Sequence, residues 1–446
     1  MDALLLTLLE LAPICHREVE QKLTEQRRIM LETVVSGTTL APEALRGACG
    51  LARQCFINEY AWNCSPAEES QVETLRDAIQ ADLDRDLPPS ETIIAAVAMY
   101  LPLASLNGPD RLLLHCRLTE VIAVLTQQVI EPAEENRLRG VIPCATPIED
   151  DVSRTVRDQY ETNPYPRWVS MAGAIDQVQL DEWLKARFPG GPAILLPTDR
   201  ALDILIAGCG TGQQAVETVR SLANVNVLAI DLSLASLAYA ARMTTKLGVQ
   251  NIDYVQADLL QSARLGRSFD MVGVGGVLHH LADPWNGWRT LLGSLRAGGV
   301  MNVLLYTQRG RSEVGIAREW ISKNGYSATA EGIRKCRHEL MALDDDWAVR
   351  LSASQDFFSI SACRDLLFHV QEQAVTLPEV SRFLAAEGIS LLGIEVSESV
   401  ERAFKAWDGG TSRDPLRDLA RWDLFEAENP GCFAGMVNLW VQKPRD

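Results

Sequence analysis

The feature that most constrains the fold is a short apolar run that leads directly into three closely spaced glycines. Residues 203–212 read DILIAGCGTG, and the residues behind them have the spacing of a helix. Glycine adopts backbone conformations that are closed to other residues, and it lets a ligand approach the main chain without a Cβ in the way. A strand, a glycine turn and a helix in this order predict a βα unit whose turn binds a nucleotide-like ligand.

Short apolar runs alternate with helical segments from about residue 202 to the end of the chain. This alternation predicts βαβ units and a buried parallel sheet, interrupted by a helical insertion at about 309–386. The predicted strands are Ile204–Ala207, Val225–Ile230, Tyr254–Ala257, Met271–Val274, Val300–Tyr306, Ser390–Val396 and Met436–Gln442. The predicted helices between them are Gln213–Leu222, Ser233–Leu247 and Pro284–Leu295.

The first 145 residues carry a different pattern, because apolar residues recur there at steps of three and four. We therefore expect an all-helical domain over 1–145, a proline-containing connector over 146–200, and an α/β domain over 201–446. The helical segments are Ala3–Val35, Pro42–Trp62, Glu69–Leu83, Pro88–Leu103 and Arg111–Ile130. Breaks are predicted at Gly37, Pro66, Pro88, Gly108 and Pro132.

Charge and cysteine usage narrow the range of partners. The chain has 42 Lys and Arg against 59 Asp and Glu, a net charge of −17, which disfavours nucleic acid as the partner. The opening stretch Met1–Pro13 carries Asp2 and Glu10 and reads as a core helix, neither an export signal nor a membrane span. The ten cysteines are scattered without a CxxC, which predicts reduced thiols, a cytoplasmic location and no metal site.

Acidic residues follow the next two predicted strands. Asp231 ends the strand after the glycine turn, where a carboxylate can accept both hydroxyls of a ribose. Asp258 ends the third strand, where it can accept from the amino group of an adenine. The fourth strand carries glycines, including Gly275, that leave room for a ligand, and it is followed by HHLADP and then by LRAGG.

In order and spacing, these motifs closely resemble the class I methyltransferases that depend on S-adenosylmethionine. The resemblance covers about residues 200–308, with 389–442 as closing strands. It implies a Rossmann-like, seven-stranded, mostly parallel sheet, and S-adenosylmethionine as cofactor with S-adenosylhomocysteine as product. It also implies a cofactor role for ten residues, namely Gly208, Cys209, Gly210, Thr211, Gly212, Asp231, Leu232, Asp258, Leu259 and Gly275.

The connector carries a further motif, NPYPRW at 163–168, which resembles a segment found before the sheet in a bacterial subgroup with a helical N-terminal region. This implies that the connector covers the cofactor pocket, with Tyr165 and Arg167 as cofactor-binding candidates; packing of the connector is the alternative. One position departs from the family, since Ile206 stands where many members have an acid that binds the methionine ammonium. Glu161 or Asp158 could take its place.

The resemblance implies methyl transfer by in-line displacement, to a small molecule or to a peptide or protein recognised by the helical domain. That domain could instead form a homodimer. A hydroxyl or a protonated amine acceptor would need a base, and the candidates are His279, His280 and Tyr160, although the histidine pair could also be structural. His369 is interpreted as a structural histidine.

Two other kinds of protein remain as alternatives. A non-catalytic interaction protein could retain this fold in vestigial form, and the missing acid at Ile206 favours it weakly. An NAD-dependent oxidoreductase would carry GxGxxG, whereas Gln213 stands where its last glycine belongs.

Overall fold

The computed structural model describes residues 2–171, 173, 176–433 and 435–445. The chain divides into two compact units. The first comprises Met1–Arg137, Tyr165–Ala172 and Ile316–Phe368, and the second comprises Leu138–Pro164, Gly173–Gly315 and His369–Asp446. Most of the segment predicted as an insertion therefore belongs to the same unit as the N-terminal helices.

The helices are numbered along the chain. Those before the sheet are α1 (Ala3–Leu11), α2 (Arg17–Val35), α3 (Pro42–Ile57), α4 (Pro66–Asp84), α5 (Glu91–Ala98), α6 (Leu112–His115), α7 (Thr119–Leu125), α8 (Glu131–Arg139), α9 (Asp151–Thr162) and α10 (Leu180–Arg187). The others are α11 (Gln213–Ser221), α12 (Leu234–Lys246), α13 (Pro284–Ser294), α14 (Ser312–Asn324), α15 (Ala330–Met341), α16 (Asp346–Leu351), α17 (Ile360–Phe368), α18 (Leu377–Ala386), α19 (Glu398–Asp408) and α20 (Leu419–Glu428).

The N-terminal part of the first unit is helical, and its core consists of aliphatic side chains around the buried Trp62. Two predicted boundaries were wrong. The helical pattern expected to continue through Ala3–Val35 is interrupted and forms two helices, because Pro13 disfavours helical backbone at the residue before it. The break expected at Pro132 does not occur, since a π-helical turn at Thr126–Ile130 runs directly into α8. Among the described residues, none of the helices combines the length and apolar character needed to cross a lipid bilayer.

The second unit is built on a seven-stranded sheet. The strands are β1 (Leu202–Ala207), β2 (Val225–Asp231), β3 (Ile252–Gln256), β4 (Phe269–Gly275), β5 (Leu295–Leu305), β6 (Ser390–Glu395) and β7 (Val437–Gln442). Their order across the sheet is β3-β2-β1-β4-β5-β7-β6, and only β7 runs antiparallel to its neighbours. The predicted seven-stranded, mostly parallel α/β fold is confirmed.

Sequence order reverses between β1 and β4, and in open α/β sheets ligands bind at the carboxyl ends of the strands beside such a point. β1 is buried along almost its whole length, which agrees with its continuous apolar run. The LRAGG segment that was expected as a turn lies inside β5, at the place where the register with β4 shifts. The ligand-binding edge is therefore formed by the ends of β1, β2, β3, β4 and β5.

Candidate functional site

The glycine turn after β1 has the backbone geometry that its sequence predicts. Gly208 has φ +69° and Gly212 has φ +83°, a region in which side chains are strained. A Cβ on Gly208 would lie 2.4 Å from Cγ2 of Val277, and a Cβ on Gly212 would lie 2.6 Å from the Cβ of Ala240. Both positions therefore require glycine, which brings the turn close to the segment after β4 and to α12.

The other turn residues are placed by the same backbone. Gly210 also has positive φ, and the side chains of Cys209 and Thr211 are buried. Burial raises the pKa of the Cys209 thiol well above its usual value, so the thiol stays protonated. These residues shape the turn and contribute no nucleophile.

Asp231 ends β2 and holds the glycine turn in place. Its Oδ2 accepts from the N–H of Gly210 at 2.8 Å, and its Oδ1 accepts from the N–H of Ser233 at 2.9 Å. Burial raises the pKa of Asp231 to about 6, and the nearby Glu161 carboxylate adds to the rise. The adjacent Leu232 carbonyl accepts from Nε2 of Gln256 at 2.9 Å. The strand tip thus presents a carboxylate directly beside the glycines.

Asp258 lies at the tip of β3 and is 1% exposed. Its Oδ1 accepts from the N–H of Leu260 at 2.9 Å, whereas its buried Oδ2 has no well-oriented hydrogen-bond partner among the described residues. Burial raises the pKa of Asp258, and the nearby Ser153 opposes the rise. A buried acceptor without a donor is costly. The site therefore suits a ligand that brings an N–H donor here, beside the buried Leu259.

The connector before the sheet lies against these strand tips. Residues 143–146 pair with the end of β3, and the Thr146 hydroxyl accepts from the N–H of Asp258 at 2.8 Å. Helix α9 follows, and at its far end Oε1 of Glu161 accepts from the N–H of Leu234 at 2.5 Å. This helix therefore spans from the third strand tip to the start of α12, covering the edge that carries both acids.

The residues suggested to replace the missing acid at Ile206 have other partners. Glu161 occupies the N-terminus of α12 and lies 3.9 Å from Arg139. Asp158 is exposed and pairs with Arg157. Sequence reasoning missed Gln214. Its side-chain amide lies beside Gly275, since a Cβ added to that glycine would be 3.3 Å from Oε1 of Gln214. The sequence did offer one signal for this residue, namely its position in the first helical turn after the three glycines.

A cluster of histidines follows β4. His279 is fully buried, and its Nδ1 accepts weakly from the N–H of Tyr306 at 3.5 Å, while its Nε2 has no partner among the described residues. Burial, followed by His280, Arg311 and His369, holds the pKa of His279 well below its usual value. His279 is therefore a neutral imidazole.

His280, Tyr160 and His369 meet beside it. The Nδ1 of His280 lies 2.8 Å from the carbonyl oxygen of Gln371, and Oη of Tyr160 lies 3.2 Å from Nε2 of His369. The structure thus brings together all three residues suggested as bases, and it adds His369, whose isolated position gave no signal in the sequence.

Tyr165 and Arg167 lie in the first unit, where both have partners. The Tyr165 hydroxyl donates to Oδ1 of Asp356 at 2.9 Å. The Arg167 guanidinium lies 3.6 Å from Glu59 and stacks over Phe56. Within this unit the two residues tie the NPYPRW segment to helical neighbours.

An adenosyl cofactor fits the residues of the second unit on two observations. The glycine turn has no room for a Cβ at its first and last positions. The buried Oδ2 of Asp258 has no well-oriented hydrogen-bond donor among the described residues, and an adenine amino group would supply one. Together with the sheet order and the acid at β2, these features define a class I methyltransferase fold.

Comparison with known proteins agrees with this class. Residues 205–301 match the family model described as a methyltransferase domain. This agrees with the class expected from the sequence, since residues 205–301 form a methyltransferase domain.

A relative from a Synechococcus strain, the uncharacterised protein syc1184_c, is 27% identical over 297 residues, which cover 62% of this chain and 68% of that protein. The structure of PKMT2 from Rickettsia typhi in complex with AdoHcy is 12% identical with a TM-score of 0.45, covering 59% of this chain and 53% of that one. A Haemonchus contortus phosphoethanolamine N-methyltransferase 2 is 14% identical with a TM-score of 0.31, covering 60% and 52%. The chain thus spans about half the length of these two solved structures.

Proposed function

We propose that this chain is an enzyme that binds S-adenosylmethionine at the glycine turn and transfers its methyl group to an acceptor. In this proposal residues 208–212 hold the methionine and ribose, Asp231 with Leu232 holds the ribose, and Asp258 with Leu259 holds the adenine. The observation that carries the proposal is the buried Oδ2 of Asp258, which has no well-oriented hydrogen-bond partner among the described residues and lies on the same sheet edge as an intact glycine turn. A vestigial fold would have no reason to retain this costly acceptor.

When bound, the cofactor supplies a methyl group that its sulfonium has already activated. The work left to the protein is to align the reactants and to exclude water. Helix α9 serves the second task, since it covers the tips of β2 and β3 through Ser153 and Glu161. The carboxylates of Asp231 and Asp258 then act in a poorly solvated setting, where hydrogen bonds discriminate strongly.

At the methionine end, Gln214 takes the place of the acid that Ile206 lacks. Its side-chain amide lies against Gly273 and Gly275 at the end of β4. An amide oxygen can accept from an ammonium group, as can the main-chain carbonyls of the turn. A neutral acceptor here suits a buried strand end better than a second carboxylate beside Asp231.

The proposal is tested by isothermal titration with S-adenosylhomocysteine and with its inosine analogue, in which a carbonyl replaces the adenine amino group. Wild-type protein should bind the adenine compound more tightly, because only an amino group donates to Asp258. A hydrogen bond to a charged group is worth about 1.5–3 kcal/mol, so we expect a preference of roughly 10- to 100-fold.

The variant Asp258→Asn should lose this preference. Asp253→Asn, on the exposed side of the same strand, is the matched control and should keep it. Absence of S-adenosylhomocysteine binding to the wild-type protein, or equal binding of both compounds, would contradict the proposal.

A further inference from the structure

Two buried histidines of the second unit are held face to face. The rings of His280 and His369 stack with centroids 3.6 Å apart and planes 15° apart. Both are at most 9% exposed. His280 lies in the short turn directly after β4, at the ligand-binding edge of the sheet, so the pair belongs to this edge.

The peptide groups of a single residue, Gln371, fix opposite tautomers in the two rings. Its carbonyl lies 2.8 Å from Nδ1 of His280, and since a carbonyl only accepts, this Nδ1 carries the proton. The N–H of Gln371 donates to Nδ1 of His369 at 3.0 Å, so that nitrogen carries the lone pair. In the neutral rings, Nε2 of His280 is then an acceptor and Nε2 of His369 is a donor.

Helix α9 supports this arrangement from the other side. Nε2 of His369 donates to the Tyr160 hydroxyl oxygen at 3.2 Å. Oε1 of Gln159 accepts from the N–H of Val370 at 3.2 Å. The cover helix therefore fixes both the His369 ring and the backbone that carries Gln371. An imidazole oriented through Nδ1 by a fixed acceptor is the usual setting of a histidine base.

We propose that His280 is the general base of methyl transfer, that His369 and Gln371 are its positioning residues, and that the acceptor presents an acidic hydroxyl such as a phenol or an enol. This inference rests on the proposed function. The acceptor oxygen forms the new bond to the methyl carbon while the carbon–sulfur bond breaks and its electron pair stays on sulfur. The hydroxyl proton passes to Nε2 of His280 and from there to solvent.

The chemistry of the cluster favours a hydroxyl over an amine. A phenol has a pKa of about 10 and needs a base to react near neutral pH, whereas an unprotonated amine needs none. A hydroxyl enters uncharged, and its methylated product is uncharged too.

The tautomers can be measured without turnover, by long-range proton–nitrogen NMR of the full-length protein labelled with ¹⁵N-histidine. The chain has six histidines, so His280→Gln and His369→Gln suffice to assign the two signals. We expect His280 to be protonated on Nδ1 and His369 on Nε2. A His280 that carries its proton on Nε2 alone would overturn the inference.

Transfer itself is measured with methyl-labelled S-adenosylmethionine and two probe acceptors, 4-methylphenol and benzylamine. Label should enter the phenol as an ether. His280→Ala should lower the rate at least about 100-fold, and added imidazole should restore part of it. His369→Gln should lower kcat about tenfold with little change in KM. The exposed His338 on α15 gives the control His338→Gln, with no effect expected.

Label in benzylamine instead of the phenol, no label in the phenol, or an unchanged rate in His280→Ala would each overturn the inference. A titration with S-adenosylhomocysteine separates this from failure of the proposed function. If the wild-type protein binds that compound while the phenol stays unlabelled, the cofactor site stands and only the acceptor assignment falls.

Discussion

At the scale of single residues, Gly208 carries the tightest constraint in the site. The variant Gly208→Ala places a side chain in left-handed backbone and within 2.4 Å of Val277. We expect the free energy of unfolding, measured with urea, to fall by about 3 kcal/mol from strain and overpacking together. Gly266→Ala is the matched control, because Gly266 has φ +62° with open space around it, and it should cost only about 1 kcal/mol. Equal losses in both variants would show that the contact with Val277 does not matter.

Asp231 makes cofactor affinity depend on pH. The raised pKa of about 6 means that the folded chain holds this proton more tightly than the unfolded chain, so the contribution of Asp231 to stability is present below about pH 4 and lost as pH rises through about 6. The affinity for the cofactor changes with pH in the opposite direction and is higher at high pH, because only the ionised carboxylate accepts both ribose hydroxyls. The affinity for S-adenosylhomocysteine, measured by titration calorimetry, should be constant above about pH 7 and should fall up to tenfold per pH unit well below 6. Asp231→Asn should bind weakly with a flat profile, and a flat wild-type profile would refute the assignment.

The residues at this scale differ in how far the sequence could predict them. The glycine turn and the acids at Asp231 and Asp258 follow from local patterns, because each lies at a strand end that its own neighbours define. The roles of Gln371 and His369 depend on contacts with His280 and Tyr160, 91 and 209 residues away in sequence. No local pattern encodes such contacts.

At the scale of elements, helix α9 covers the strand tips that carry Asp231 and Asp258, and its Glu161 also raises the pKa of Asp231. Glu161→Gln keeps an acceptor for the N–H of Leu234 but removes the charge that helps to raise the pKa of Asp231. We expect the midpoint of the affinity–pH profile to move to lower pH. Losing an anion at the N-terminus of α12 should also cost about 0.3–1 kcal/mol of stability. Asp158→Asn, exposed on the same helix, should change neither quantity, and an unmoved midpoint in Glu161→Gln would contradict the coupling.

Strand identity was more predictable than helix boundaries. All seven predicted strands occur, since each contains a short apolar run that packs in or against the core of the sheet. Helix ends depend on details that periodicity does not carry. The apolar periodicity continues past Pro13, but the first helix ends before that proline. Pro132, in contrast, lies within α8, which directly follows a π-helical turn.

At the scale of the whole molecule, the grouping of residues 316–368 with the N-terminal helices could not be predicted from the sequence. Apolar periodicity predicts helices but does not show which helices pack together. A buried ion pair shows what joins them within the first unit. Arg337 on α15 is 1% exposed; its guanidinium lies 3.0 Å from Glu20 on α2 and donates to the carbonyls of Ala61 and Phe357. One side chain thus connects segments more than 250 residues apart in sequence.

Breaking this pair from one side should therefore destabilise the first unit strongly. Arg337→Met leaves Glu20 buried without its partner, and we expect the free energy of unfolding to fall by about 3–5 kcal/mol in urea titrations followed by tryptophan fluorescence. The double variant Glu20→Gln with Arg337→Met removes the stranded charge and should recover part of that loss. The exposed Lys335 on the same helix provides the control Lys335→Met, which should stay within about 0.5 kcal/mol of wild type. If the double variant is no more stable than Arg337→Met, the prediction is contradicted. Arg337 then stabilises the unit through its hydrogen bonds to the two carbonyls and not through its ion pair with Glu20.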